Sequence, residues 1–318
     1  MREQKIKIAF FGTPEFALPA LQTLAENKEF EILAVLTQED KKTGRHQALT
    51  APPVKILAQK YGLPVLQPLK INDPAFLKIL KGLAPDFLVV IAYGKILPKS
   101  ILEIPRYAAI NVHASLLPKY RGASPIEETL LHGDKETGIS IMKMEEALDS
   151  GPVYYLKKLT IEALDTADSL RKKLSIMGAQ ILPYLLRDIR ENNLHPLKQD
   201  KSKTTYCHKI TKEAGLVNLT TMTAQEIWNR IRAYTPWPSC YLFLNGKRLK
   251  ILEASYDEKQ NGPPGTVVDI DKNTIGIGTK KGLLFPKKVQ LEGKAAMDIQ
   301  TFLMGNRSFL KKLLTSPK

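Results

Sequence analysis

One short stretch, INVHASLLPKYRGASPI from Ile110 to Ile126, holds the residues best suited to chemistry. Asn111 and His113 stand two positions apart at the end of an apolar run, and alternate residues of a strand project to one face. The amide and the imidazole therefore address a single spot. A carboxylate, Asp149 in MEEALDSGP, follows another apolar run, TGISIMKM. An amide donor can stabilise the oxyanion that develops during acyl transfer. An imidazole can relay a proton near neutral pH, and a carboxylate beside it can fix its tautomer. The three types fit transfer of an acyl unit to an attacking group carried by a substrate. Ser115 is the alternative nucleophile, but it lacks the G-x-S-x-G elbow. Plainer roles exist for each: a strand-end His held by a structural hydrogen bond, and Asn and Asp as turn formers.

Such groups can act only if strand ends deliver them to one crevice. The first part of the chain alternates apolar runs with helical patterns, the mark of a parallel sheet with crossover helices. IKIAFF, EILAVLT, LPVLQ, DFLVVIAY, AAINVHA, TGISIMKM and PVYYLKKLTI read as strands, and residues 14–26, 54–62, 73–82 and 166–192 as helices. DFLVVIAY is apolar on both faces, as a central parallel strand requires. The expected fold is α/β, a doubly wound, mostly parallel, Rossmann-like sheet. Ligands bind such sheets at the carboxyl ends of the strands, so Ala92, Tyr93 and Gly94 are expected to flank the crevice with Asn111 and His113. Gly12 is followed by Thr13 and Pro14 rather than a G-x-G-x-x-G fingerprint, and no Walker-type phosphate loop occurs. Residues 38–53, QEDKKTGRHQALTAPP, carry no apolar period and are long for a connection, which marks a functional loop.

The polar run DIRENNLHPLKQDKSKTT, residues 188–205, reads as a linker. Beyond it come a helix, TAQEIWNRIRAY, and short strands with a hairpin signal at Asn245-Gly246. Their spacing points to a small OB-like β-barrel. The 318 residues are thus expected to divide into a catalytic domain at 1–189, a linker at 190–206 and a barrel at 207–318. In YTPWP, Trp237 reads either as a packing corner of the barrel, the favoured alternative, or as an exposed stacking surface.

The formal net charge is +15, and residues 201–318 hold 20 Lys and Arg against 9 Asp and Glu. A basic second part beside a near-neutral first part suggests a polyanion partner, with nucleic acid the usual candidate. A hydrophobic fraction of 43% disfavours disorder, and no apolar run approaches the length of a membrane span. No secretory signal or presequence pattern precedes IKIAFF, so a cytoplasmic protein without a membrane segment is expected. Cys207 and Cys240 are too isolated for a disulfide framework, and the 5 histidines show no metal-ligand spacing.

NVHASLLPKYRGASPI resembles the N-x-H-x-S-L-L-P-x-x-R-G signature of the 10-formyltetrahydrofolate-dependent formyltransferases, and the aspartate of MEEALDSGP resembles that family's third catalytic residue. IAFFGTPEFA, VVIAYGKILP, TGISIM and WNRIRAYTPWPS extend the likeness over the whole chain, in the branch acting on methionyl-tRNA. The resemblance implies that Asn111, His113 and Asp149 are catalytic. It further implies that Ser115, Leu116, Leu117 and Pro118 contact folate and that Ala92, Tyr93 and Gly94 line the pterin side. The implied co-substrate is 10-formyltetrahydrofolate, without a metal, and the implied partner is charged initiator methionyl-tRNA, formylated for translation initiation. Gly44-Arg45 matches a G-R pair that reaches the acceptor end of the tRNA, although Glu39-Asp40 replaces the family's proline-aspartate there. Lys247, Lys250, Lys280, Lys281, Lys287 and Lys288 are expected to track tRNA phosphates. A monomer is expected. The rivals are a formyl-folate enzyme acting on a purine-precursor amine or an amino sugar, or hydrolysing the formyl group, and an RNA-binding protein without catalysis. The basic barrel argues against the first group, and retention of Asn, His and Asp together argues against the last.

Overall fold

A computed structural model describes residues 4–43, 47–244, 246–271 and 273–310 of the chain. The chain forms two compact units, one of 1–122, 136–160 and 171–207, the other of 123–135, 161–170 and 208–318.

In chain order the first unit begins with β1 (Ile6–Gly12), α1 (Leu18–Glu26), β2 (Phe30–Leu36), β3 (Lys41–Thr43), β4 (Ala48–Thr50), α2 (Pro53–Lys60) and β5 (Val65–Leu66). It continues through α3 (Pro74–Leu83), β6 (Phe87–Ile91), α4 (Lys99–Leu102), β7 (Ala108–His113) and β8 (Arg121–Gly122). After α5 (Pro125–Leu131), which belongs to the second unit, come β9 (Glu136–Lys143), β10 (Val153–Thr160), α6 (Ala167–Arg190) and β11 (Tyr206–Cys207). The main sheet has the order β10-β9-β7-β6-β1-β2-β5. The pairs from β7 to β5 are parallel, while β9 and β10 are antiparallel additions at one edge. Central β6 is buried along its whole length, as its unbroken FLVVI run requires. Its neighbours are closed over by a core of Phe11, Phe76, Leu80, Leu88, Leu97 and Ile101. Helix α3 starts where Asp73 accepts a hydrogen bond from Ala75 N and Pro74 takes the first helical position.

Two stretches differ from the sequence reading. Within residues 38–53, β3 and β4 form a short antiparallel ladder, with Lys41 opposite Thr50 and Thr43 opposite Ala48. The side chains of β4 all lie in solvent, so no apolar alternation announces the hairpin. Residues 197–207 are held to the first unit throughout: Leu197 exchanges hydrogen bonds with Val153, and β11 pairs with β8.

The second unit contains α7 (Ala224–Tyr234), β12 (Cys240–Leu244), β13 (Lys247–Asp257), β14 (Val267–Asp269), β15 (Ile275–Gly278), β16 (Leu283–Leu291), β17 (Met297–Asp298) and α8 (Ile299–Leu310). Thr223 and Glu226 close a capping box at the start of α7. The strands form an antiparallel sheet of order β12-β13-β16-β15-β14, with β17 on β16. Register shifts at Ile251 to Ala254 add twist, and the sheet curls as an open half-barrel. Leu244 pairs with Lys247 across the turn that Asn245-Gly246 foretold, although Asn245 lies outside the described residues.

Candidate active site

Strand β7 lies between β6 and β9, with Asn111 opposite Val90 on one side and Met142 on the other. Both Asn111 and His113 therefore stand at the carboxyl end of a strand flanked on both edges. The turn after β9 brings Asp149 to the same place. Its Oδ1 accepts a hydrogen bond of 3.4 Å from Asn111 Nδ2, and its Oδ2 lies 3.6 Å from His113 Nδ1. Oδ2 also accepts a 2.9 Å bond from Gly122 N. The His113 and Asp149 side chains are 6% and 12% exposed, so solvent screens their interaction little.

His113 Nε2 is 3.0 Å from the carbonyl oxygen of Tyr120. A carbonyl can only accept, so Nε2 carries a hydrogen, and Nδ1 facing the carboxylate is the atom left to take a proton. The backbone around this carboxylate is tightly specified. Asp149 has φ +46°, a left-handed conformation that Asp tolerates better than most L-residues. A Cβ on Gly151 would meet Lys143 O at 1.8 Å, and one on Gly122 would meet Cys207 O at 2.1 Å. Only glycine fits these two approaches, which explains the R-G and S-G steps in the sequence.

The Ser115–Pro118 run forms the turn beyond β7. Ser115 is fully buried, with its Oγ donating to Lys119 O at 2.6 Å, so it is a poor nucleophile. Ser140 Oγ donates to Ser115 O at 2.6 Å and accepts from Leu117 N at 2.9 Å. Leu117 packs on Met142 and Val153, while Leu116 and Pro118 stay partly exposed. At the end of β6, Ala92 and Gly94 are exposed, but the Tyr93 ring is buried edge-on against Phe11. Burial pushes the Tyr93 phenol up to about 12, and the charge of Glu39 adds to the effect. What this stretch offers a ligand is accordingly backbone and small side chains, with the Tyr93 carbonyl already taken by Thr13 Oγ1 and Gln38 Nε2, each at 2.9 Å.

Gly44-Arg45 lies outside the described residues. The root of its loop is anchored by the two residues that depart from the family pattern. Glu39 pairs with Lys95, which also donates to Pro68 O at 2.8 Å. Asp40 accepts from Lys55 Nζ and Gln67 Nε2, each at 2.8 Å. The hydrogen bond from Lys95 holds the Glu39 carboxyl below its ordinary range, and that from Lys55 does the same for Asp40. The sequence reading missed Gln38, Lys55 and Lys95, because polar residues spread over 58 positions carry no periodic signal.

In the second unit Lys247 and Lys250 lie on β13, Lys287 and Lys288 on β16, and Lys280 and Lys281 at the β15–β16 turn. Lys281 pairs with Glu258 at 2.9 Å and Lys288 with Glu253 at 3.7 Å. The six are therefore distributed over the sheet rather than gathered on one strand face. Lys250 joins Arg248, Gln290 and Glu292 around a shallow cavity of about 180 Å³. Trp237 is 53% exposed, so its ring is not enclosed in the barrel core and offers a face to solvent. Among the described residues no helix is long and apolar enough to cross a membrane, and no three His, Cys, Asp or Glu side chains gather as a metal site.

The formyl transferase family model matches residues 5–186, and the model of the formyl transferase C-terminal domain matches residues 209–307. The chain belongs to the formyltransferase family. A methionyl-tRNA formyltransferase of Caldicellulosiruptor saccharolyticus is 46% identical over 303 residues, covering 94% of this chain and 96% of its relative. One of Thermodesulfovibrio yellowstonii is 43% identical over 300 residues, with coverage of 94% and 96%. Among solved structures, the sugar 3N-formyl transferase WlaRD, determined with dTDP and 5-N-formyl-THF, superposes with a TM-score of 0.66 at 20% identity, covering 92% of this chain and all of its own. HypX from Aquifex aeolicus in complex with tetrahydrofolic acid gives 0.62 at 14% identity, covering 99% of this chain and 49% of HypX. These two likenesses concern the formyltransferase fold alone.

Proposed function

We propose that the chain transfers the formyl group of 10-formyltetrahydrofolate to the α-amine of methionine on initiator methionyl-tRNA, giving formylmethionyl-tRNA for translation initiation. The observation that carries this function is the meeting of an amide, an imidazole and a carboxylate at 3.4 and 3.6 Å, in a chain similar over 94% of its length to methionyl-tRNA formyltransferases. The unit of residues 1–122, 136–160 and 171–207 carries the chemistry, and the unit that contains 208–318 presents a basic surface to tRNA. The protein works as a cytoplasmic monomer.

Three side chains divide the reaction. Asn111 has two amide hydrogens and directs one at Asp149, so the other is available to the oxyanion that forms when the amine adds to the formyl carbon. His113 takes at Nδ1 the proton that the attacking nitrogen sheds and returns it to the departing folate nitrogen. The Tyr120 carbonyl holds the ring in the tautomer this requires, and Asp149 stabilises the imidazolium while it lasts. The partly exposed Leu116 and Pro118 and the exposed backbone of Ala92 and Gly94 suit the apolar faces and polar edge of a flat pterin ring. Ser115 and Leu117 act from beneath as the fixed floor of that loop, and Tyr93 through its backbone. Arg45 contacts the acceptor end of the tRNA, and the six lysines, with Lys247, Lys250, Lys280 and Lys287 foremost, follow its phosphates.

Purified protein given labelled 10-formyltetrahydrofolate should formylate methionyl initiator tRNA and leave an amino-sugar nucleotide and a purine-precursor amine untouched. Equal or faster transfer to either small amine would refute the assignment.

A further inference from the structure

The loop bearing Asp149 and the turn bearing Gly122 are joined by a side chain from the polar run after α6. Gln199 Oε1 accepts from Arg121 Nε at 3.1 Å and Nη2 at 2.7 Å, while its Nε2 donates to Asp149 O at 2.8 Å and Gly151 O at 2.7 Å. A guanidinium only donates and a carbonyl only accepts, so the amide has one possible orientation. Its four bonds use both N–H groups and both lone pairs. The segment around it is fastened to the same loops: Thr205 O accepts from Arg121 N at 2.9 Å, and Thr205 Oγ1 from Tyr120 N at 2.9 Å. Tyr120 in turn receives the hydrogen of His113 Nε2, and Gly122 N holds the Asp149 carboxylate. Asp149 keeps its left-handed φ of +46° while Gln199 grips the carbonyl of Asp149 and that of Gly151 two residues on. Such a backbone conformation persists only where its surroundings over-determine it.

We infer that Gln199 is a positioning residue for the reaction, clamping the Asp149 and Gly151 carbonyls to the buried Arg121 guanidinium so that the Asp149 carboxylate stays against Asn111 and His113. The inference rests on the formyl transfer proposed above. It assigns a part in turnover to a segment that reads in sequence as a polar connection.

Gln199→Met removes all four bonds at nearly constant volume. Gln199→Glu keeps the pairing with Arg121 but turns a carboxylate oxygen toward two carbonyls, so the segment stays anchored while the clamp on the loop is lost. Both should lower kcat by about 10- to 100-fold, the scale of a displaced catalytic group, with KM for donor and tRNA within about threefold. In an Asp149→Asn background Gln199→Met should add less than about threefold, because residues acting as one unit are not additive. Hydrogen exchange of the 145–153 peptide should be faster in Gln199→Glu. Unchanged kcat in Gln199→Glu, a full further loss in the Asp149→Asn background, or unchanged exchange would overturn the clamp. If the wild-type protein formed no formylated tRNA while exchange still quickened in Gln199→Glu, the clamp would stand and the proposed reaction would fall.

Discussion

Replacing Asp149 by Asn changes neither size nor shape, yet it removes a charge from the place where two donors and the proton-accepting nitrogen of His113 converge. One carboxylate oxygen takes the Gly122 N–H at 2.9 Å and faces His113 Nδ1 at 3.6 Å, while the other takes the Asn111 amide at 3.4 Å. Asparagine has a single oxygen, so whichever way its amide turns, an NH2 group confronts either Gly122 N–H or the Asn111 donor. The lost hydrogen bond to a charged acceptor is worth about 1.5–3 kcal/mol. Attraction between a carboxylate and a protonated imidazole near 4 Å is about 4 kcal/mol at an effective dielectric of about 20. That attraction operates only while His113 holds the proton, so it enters kcat rather than substrate binding. Part of it is offset by the cost of desolvating the pair, which leaves a net loss of about 3–4 kcal/mol, or about 100- to 1,000-fold in kcat. Formylation kinetics at saturating methionyl-tRNA measure kcat, and titration calorimetry with a non-reactive folate measures donor affinity, which should stay within about threefold. A variant that melts like the wild type and keeps kcat within about threefold would refute the role given to Asp149.

Three other outcomes follow from the same geometry. Neutralising Lys247, Lys250, Lys280 or Lys287 should each reduce the slope of log affinity for tRNA against log salt by about 0.7–0.9, while the ion-paired Lys281 and Lys288 should change it less; filter binding at several salt concentrations measures this. Arg45→Ala should raise KM for charged tRNA about tenfold, the loss of one charge-assisted contact of about 1.4 kcal/mol, and leave donor affinity unchanged; an equal loss for both would remove Arg45 from the tRNA site. Burial pushes the Cys240 thiol up to about 12, so at pH 8 only about 1 in 10,000 molecules carries the thiolate, and a thiol reagent should modify it in native protein orders of magnitude more slowly than after unfolding.

Strand β6 and the pair Asn111 and His113 were legible because a five-residue apolar run and a two-residue spacing are local patterns with a geometric meaning. The doubly wound sheet followed from the alternation of such runs. Asp149 was placed by its position just past an apolar run; that run, β9, is antiparallel to β7, so the β9–β10 turn rather than a shared carboxyl edge brings the carboxylate to both partners. The clamp by Gln199 was invisible, because Arg121, Asp149 and Gly151 meet it only after the chain has passed through α6. The β3–β4 hairpin was hidden for another reason: the strands are too short and polar to show a period of two. Tyr93 reads as a ligand contact from its neighbours, but its ring fills the core instead, as an aromatic following a fully buried strand readily does. Trp237 goes the other way, since proline on both sides gives no sign of whether a ring faces in or out.

Single-turnover transfer of labelled formyl from 10-formyltetrahydrofolate to methionyl initiator tRNA, by wild-type protein and by Asn111→Ala, tests most directly that the amide beside Asp149 stabilises the oxyanion. The wild type should complete transfer, and the variant should be about 100- to 1,000-fold slower with both substrates still bound. Wild-type and variant rates that coincide, or a wild type that forms no formylmethionyl-tRNA, would contradict it.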